Sequence, residues 1–197
     1  MTKALIIVDT QNDFLPGGSL AVAGGDQIIP EINRLSPLYE LVVATQDWHS
    51  GNHGSFASQH KGARPFETGE LAGMPQVLWP DHCVQGTFGA ELSGYLNQKH
   101  VEAVFRKGMD PEIDSYSAFF DNGRKKATGL EGYLLGRGIT QVHICGLAAD
   151  FCVWYTAQDA ISLGFGAVIL QDAVRAINEN NLNDLYEEFV KLGGALQ

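Results

Sequence analysis

Four short apolar runs, each of strand length, lead into reactive residues, and they limit what the chain can fold into. Residues 4–8 precede Asp9, residues 41–45 precede Asp47 and His49, residues 101–105 precede Lys107, and residues 141–145 precede Asp150 and Cys152. The runs are rich in Val and Ile, and near-continuous hydrophobicity of this length marks strands covered on both faces. Helical patterns lie between them, with Ile28, Ile29, Ile32 and Leu35 on one stripe and Leu182, Leu185, Phe189 and Leu192 on another. Strands alternating with helices predict an α/β fold of three layers, α/β/α, around a mostly parallel, doubly wound sheet. Open sheets of this kind bind ligands in the crevice outside the carboxyl ends of their strands. Asp9, Asp47, His49, Lys107 and Cys152 are therefore expected to meet at one site, which is the main argument for an enzyme.

The bulk numbers narrow the classes. A chain of 197 residues, 45% hydrophobic, predicts a single domain over residues 1–197 with a sizeable core. A net charge of -10 argues against a nucleic-acid or anionic-membrane partner, because phosphates need a basic face. The one basic run, Arg124-Lys125-Lys126, reads as a solvated turn. No apolar run approaches the roughly 20 residues of a membrane span, and the start shows no signal-peptide pattern. Three widely spaced cysteines do not suggest a disulfide framework. The expected compartment is the cytoplasm.

Residues 10–25 read as a Gly-rich loop and residues 46–88 as a long irregular stretch. Structureless loops beyond about 12–15 residues are uncommon and usually functional. A short helix is expected over residues 90–98. Thr128-Gly129-Leu130-Glu131 reads as a capping box, the Thr128 hydroxyl taking the Glu131 amide proton, at the head of a helix ended by Gly138. Further helices are expected over residues 151–163 and 179–192, with a strand over residues 167–170 between them.

Cys152 falls in the first turn of the helix after the fourth strand, where free amides and the helix dipole favour an anion. Asp9 and Lys107 stand at neighbouring strand ends, and the three supply a base, a cation and a nucleophile. Asp9 would take the thiol proton and return it to the leaving group, and Lys107 would stabilise both anions. The sharp turn between Gly146 and Cys152 offers backbone amides for an oxyanion hole. Cys145, inside an apolar strand, and Cys83, in the long loop, read as bystanders.

The segment Asp47-Trp48-His49-Ser50-Gly51-Asn52-His53, with His82 later, supplies a carboxylate and imidazoles. Asp/His/His suits Zn, Fe or Mn with open positions, and Asp47 and His49, two apart on extended chain, can approach one ion from the same side. His53 is a further candidate. His60, His100 and His143 lack such company. The same donor set invites a non-haem iron oxygenase, but such an enzyme has no use for a Cys–Asp–Lys set in the same crevice.

These residues resemble a known family. The matching stretches are Ile7-Val8-Asp9-Thr10-Gln11-Asn12-Asp13-Phe14, Thr45-Gln46-Asp47-Trp48-His49 onward to Phe56, Trp79-Pro80-Asp81-His82-Cys83-Val84-Gln85-Gly86-Thr87, Arg106-Lys107-Gly108, and Cys145-Gly146-Leu147-Ala148-Ala149-Asp150-Phe151-Cys152-Val153. Over essentially its whole length the chain resembles nicotinamidases (pyrazinamidases) of the isochorismatase-like cysteine hydrolases. The first and last stretches are shared across that superfamily; the Asp-Trp-His and Trp-Pro-Asp-His stretches are narrower. The resemblance implies a triad of Asp9, Lys107 and Cys152, and one divalent metal on Asp47, His49 and His82, with His53 a further candidate. It also implies a ring pocket of Phe14, Trp79 and Tyr116, and a cis Leu147–Ala148 peptide aiming the Ala148 and Cys152 amides at an oxyanion. The implied reaction is hydrolysis of nicotinamide, and of pyrazinamide, through a thioester, in NAD salvage. A homo-oligomer is compatible with it. A short or missing final edge strand is expected from the sequence after Gly193. The alternatives are a sister amidase acting on another small amide and a catalytically silent metabolite-binding protein of the same fold.

Overall fold

The computed structural model describes residues 2–197. Six strands, β1 (Lys3–Val8), β2 (Leu41–Asp47), β5 (Val101–Lys107), β6 (Gln141–Leu147), β7 (Gly166–Arg175) and β8 (Ala195–Leu196), form one sheet in the order β5-β2-β1-β6-β7-β8. Every pairing in it is parallel. The expected α/β class, doubly wound and parallel, is what the structure has. From β1 the chain steps through β2 to β5 at one edge, then crosses to β6 and steps to the other edge. The switch in direction falls between β1 and β6, and the crevice of such a sheet opens there.

Pleating sends alternate side chains of β1 to opposite faces. Ala4, Ile6 and Val8 pack with helices α2 (Leu130–Gly136), α3 (Cys152–Ser162) and α4 (Leu182–Lys191) through Leu130, Trp154, Ala157 and Phe189. Leu5 and Ile7 pack on the opposite face with α1 (Ile29–Leu35) and the loops after β1 and β2, through Ile32, Phe14 and Trp79. Central β2 is buried throughout, whereas edge strand β5 alternates, as a strand with one free side should.

Several expectations are corrected. The stretch over residues 46–88 contains an antiparallel hairpin, β3 (Thr68–Leu71) and β4 (Met74–Val77). Its turn places Ala72 at φ 54° and Gly73 at φ 78°, the two positive angles of a type I′ turn. The helix expected over residues 90–98 does not form. There the Glu91 carbonyl accepts from the Asn12 amide and the Ser93 amide donates to the Thr10 carbonyl, so bonds to the chain leaving β1 replace intrahelical ones. The capping box is not made either: Gly129, at φ 93°, is the N-cap of α2, and the Thr128 hydroxyl accepts from the Leu130 amide and donates to the Ala118 carbonyl. The edge strand β8 is present and short. Strand β7 runs five residues beyond residue 170, to Arg175. Among the described residues no helix is long and apolar enough to cross a membrane.

Candidate active site

At the β1/β6 switch point the two chains approach closely. Gly146, at φ 109°, has no room for a side chain, because a Cβ there would overlap the Val8 carbonyl. Beyond Val8 the chain turns away through Asp9 at φ 43°. Thr45 on β2 holds Asp9 from two directions: its hydroxyl accepts from the Asp9 amide at 3.2 Å and donates to Oδ1 at 2.6 Å.

Lys107, the last residue of β5, points into this corner and is buried. Its Nζ donates to Asp47 Oδ1 at 2.5 Å, to the Ser115 carbonyl at 2.9 Å and to Cys152 Sγ at 3.3 Å. These contacts use the three ammonium hydrogens. Asp9 Oδ2 lies 2.8 Å from the same nitrogen, yet takes part in no hydrogen bond. That contact is ionic, and the oxygen keeps lone pairs free beside the thiol. Asp9, Asp47 and Cys152 offer atoms all within 4.8 Å of one another.

The electrostatics follow from burial. Burial pushes the Cys152 thiol well above its ordinary pKa, and Lys107 only partly offsets this. Burial, Asp9 and Asp47 thus oppose the thiolate that the helix start and Lys107 favour, and Asp9 stands beside the thiol as a base. Burial likewise raises Asp9, against the pull of Lys107 and with the push of Asp47. For Asp47 the balance reverses: burial opposes ionisation, but Lys107 and His49 outweigh it and hold the carboxyl well below the usual range. Burial would lower Lys107, but Asp47 and Asp9 keep it charged.

The peptide Leu147–Ala148 is cis. The amides of Ala149, Phe151 and Val153 all donate to backbone carbonyls, and among the described residues those of Ala148 and Cys152 do not. Ala148 and Cys152 line one cavity with Asp47, His49 and His82. Its walls are Phe14, Leu20, Trp79, Tyr116, Phe151 and Ile177. Trp79, Tyr116 and Phe151 meet edge to face, with ring centroids 4.9–6.3 Å apart. The Tyr116 hydroxyl accepts from Gln76 Nε2 at 2.9 Å and from Trp79 Nε1 at 3.3 Å.

Beside Lys107, Asp47 turns its second oxygen to two imidazoles, with His49 Nε2 at 3.5 Å and His82 Nε2 at 3.8 Å. The Nδ1 atoms of these rings lie 2.8 Å from the carbonyls of Gly108 and Pro80. Nδ1 is thus the donor in both, and Nε2 of each ring carries the lone pair. Three lone-pair atoms on buried side chains face one point, so the donor chemistry fits a divalent cation. His53, also buried, sits against His49 with ring centroids 4.3 Å apart, and burial followed by His49 lowers its pKa to about 4. Cys83 and Cys145 are buried, with thiols raised by burial.

Ser115, Gln76, Ile177 and, lining the cavity, Asp114 carry no signal in the sequence, and Thr45 and Phe151 lie within the matching stretches without standing out as contributors. Two others stand inside a motif. The Gln11 side chain accepts from the Asp47 amide at 2.9 Å and donates to the Asp47 carbonyl at 2.8 Å, replacing the strand neighbour β2 loses when β1 ends. Asp13 Oδ2 accepts from the amide of Cys83, next to His82, at 2.7 Å.

The isochorismatase domain pattern matches residues 3–197. The chain belongs to the isochorismatase family. Among isochorismatase-family relatives, the nicotinamidase of Acinetobacter baylyi is 52% identical over 191 residues, covering 96% of this chain and 89% of that protein. The solved nicotinamidase/pyrazinamidase of Acinetobacter baumanii superposes with a TM-score of 0.96 at 48% identity, covering 99% of this chain and 95% of that one. The pyrazinamidase of Pyrococcus horikoshii, solved in complex with zinc, gives a TM-score of 0.81 at 36% identity, covering 100% of this chain and 99% of that one.

Proposed function

We propose that this chain hydrolyses nicotinamide to nicotinate and ammonia, with pyrazinamide as a further substrate. The observation that carries the reading is one buried ammonium, Lys107, hydrogen-bonded to the Cys152 thiol and to Asp47, with Asp9 against it and the imidazoles of His49 and His82 beside Asp47. A cysteine amidase needs the first grouping, and the second is a metal-type donor set in the same cavity. The nicotinamidase relatives make the pyridine carboxamide the substrate of choice.

The steps follow from the free lone pairs of Asp9 Oδ2. Asp9 takes the Sγ proton as sulfur bonds to the carboxamide carbon, and Lys107 stabilises the charge during transfer. The oxyanion is received by the Ala148 and Cys152 amides, a device worth about 2.7–4 kcal/mol per donor. Asp9 passes its proton to nitrogen, the C–N bond breaks, and ammonia leaves a thioester on Cys152. Water then gives a proton to Asp9 and its oxygen to the carbonyl carbon. The C–S bond breaks, Sγ recovers the proton from Asp9, and nicotinic acid departs, ionising to nicotinate as the released ammonia takes its proton. Phe14, Trp79 and Tyr116 wall the ring. Asp47, His49 and His82 would hold a divalent ion, zinc, iron or manganese, which supplies a Lewis-acid anchor for the ring nitrogen. The test is ammonia release from nicotinamide by purified protein loaded with each of these metals. No release with any of them overturns the reading.

A further inference from the structure

Two buried side chains next to the donor set have partners that do not match their chemistry. His53 is fully buried, and its Nε2 has no hydrogen-bond partner. Its other nitrogen is spoken for. The Ser55 amide donates to Nδ1 at 3.2 Å, with the Ser55 hydroxyl 2.7 Å from the same atom. An amide proton aimed at Nδ1 requires the lone pair there, so a neutral ring carries its hydrogen on Nε2. This is the opposite tautomer from His49 and His82, whose Nδ1 atoms donate to carbonyls. An Nε2–H cannot bind a metal; it can only donate.

Asp114 is the complementary case. It is buried, lines the cavity beside His49 and His82, and forms no ion pair among the described residues. Oδ1 accepts from the Ser115 amide at 2.8 Å and Oδ2 from Gln76 Nε2 at 2.9 Å. Each oxygen can accept once more, and a buried carboxylate without a cation is costly. His49, His53 and Asp114 offer atoms all within 4.8 Å of one another. An orphaned donor and an unneutralised acceptor thus flank the ring that orients toward Asp47.

We propose that His53 and Asp114 act on the metal from outside its ligand set, His53 donating to and Asp114 accepting from the solvent ligand that completes the coordination of Asp47, His49 and His82. The inference rests on the metal reading above and goes beyond it. It removes His53 from the ligands, and it gives a role to a carboxylate with no motif of its own. Asp114 also adds a negative charge that helps neutralise a dication in a closed cavity. The Gln76 contact ties that charge to hairpin β3–β4, which therefore helps set the metal site although it supplies no ligand.

The experiment uses the full chain loaded with zinc. X-ray absorption at the zinc edge counts coordinated imidazoles, and competition with a chromophoric chelator gives the affinity. The expected result is two imidazoles in the wild type and one zinc per chain in wild type, His53→Gln and Asp114→Asn. Each substitution should weaken zinc binding about tenfold or more, the usual range for partners of a metal's ligands. His82→Ala should abolish stoichiometric binding. Three imidazoles in the wild type, or wild-type affinity in both variants, overturns the inference while leaving the metal reading intact. No zinc in the wild type, or undiminished zinc in His82→Ala, overturns the metal reading itself. If His53→Gln does not fold, the wild-type imidazole count and the Asp114→Asn affinity still decide.

Discussion

Lys107 divides a single charge among three neighbours, and each loses something different when it is removed. In Lys107→Ala, Asp9 and Asp47 face each other in a buried corner without a cation and the thiol loses its donor. A drop in kcat of more than tenfold is expected, a barrier change above about 1.4 kcal/mol; a variant retaining a tenth of wild-type kcat contradicts the triad. The thiols separate by exposure. Cys83 and Cys145 are 0% exposed and Cys152 is 6% exposed at the cavity, so an alkylating reagent should inactivate by labelling Cys152. Mass-spectrometric mapping that finds Cys83 or Cys145 labelled and Cys152 free in inactivated protein removes it as nucleophile. In the proposed mechanism Asp9 sets the acid limb of activity. It must be ionised to accept the thiol proton, and burial raises its pKa above the ordinary value of about 3.9. Activity is therefore complete above the raised pKa and lost as pH falls through it. The kcat/KM profile of stable protein should show its acid midpoint above about pH 4; a midpoint at or below an ordinary aspartate's assigns the limb to another group.

At the scale of elements, the weak points are turns and close approaches. Ala72 holds φ 54° in the hairpin turn, a conformation that costs a residue with a Cβ about 1–2 kcal/mol and that Asn tolerates. Ala72→Asn should raise stability by about 0.5–1 kcal/mol, seen as an increased denaturation midpoint; an unchanged or lower midpoint means the turn is not of this type. Gly146→Ala meets the Val8 backbone across the β1/β6 seam and should cost more than about 2 kcal/mol. The central strands were legible because a sheet covered on both faces imposes unbroken apolar runs, and β1, β2 and β6 carry them. The hairpin was not, since Thr68–Leu71 carries a single large apolar residue and Pro75 interrupts Met74–Val77. Residues 90–98 misled because their spacing suits a helix while Thr10 and Asn12, some 80 positions earlier, claim the backbone. In the site, Asp9, Asp47, His49, His82, Lys107 and Cys152 were legible, each standing just past a strand or in a dense motif. Ser115, Gln76 and Asp114 were not, because their contributions exist only through partners supplied by the tertiary fold.

For the molecule as a whole, the question is what a cation held by Asp47, His49 and His82 would do for catalysis. If it anchors the ring nitrogen, benzamide, which lacks that nitrogen, should be a much poorer substrate than nicotinamide only while metal is bound. Removing the metal, or making His49→Ala, should shrink the kcat/KM gap between the two amides. Equal losses for both would instead mean that the metal activates the attacking water. Circular dichroism of the metal-free chain must first show that the loops after β2 keep their order. Asp47 makes this more than a matter of substrate binding. One of its oxygens belongs to Lys107 and the other faces the imidazoles. A dication drawing on the second oxygen withdraws electron density from the first, freeing more of the lysine's charge for Asp9 and the thiol. Metal loading and thiol ionisation then form a linked equilibrium, and linkage is reciprocal: any factor by which the metal favours the thiolate is the factor by which the thiolate tightens the metal. The protein would hold its ion most firmly when its sulfur is charged and release its grip by the same factor once that sulfur is acylated.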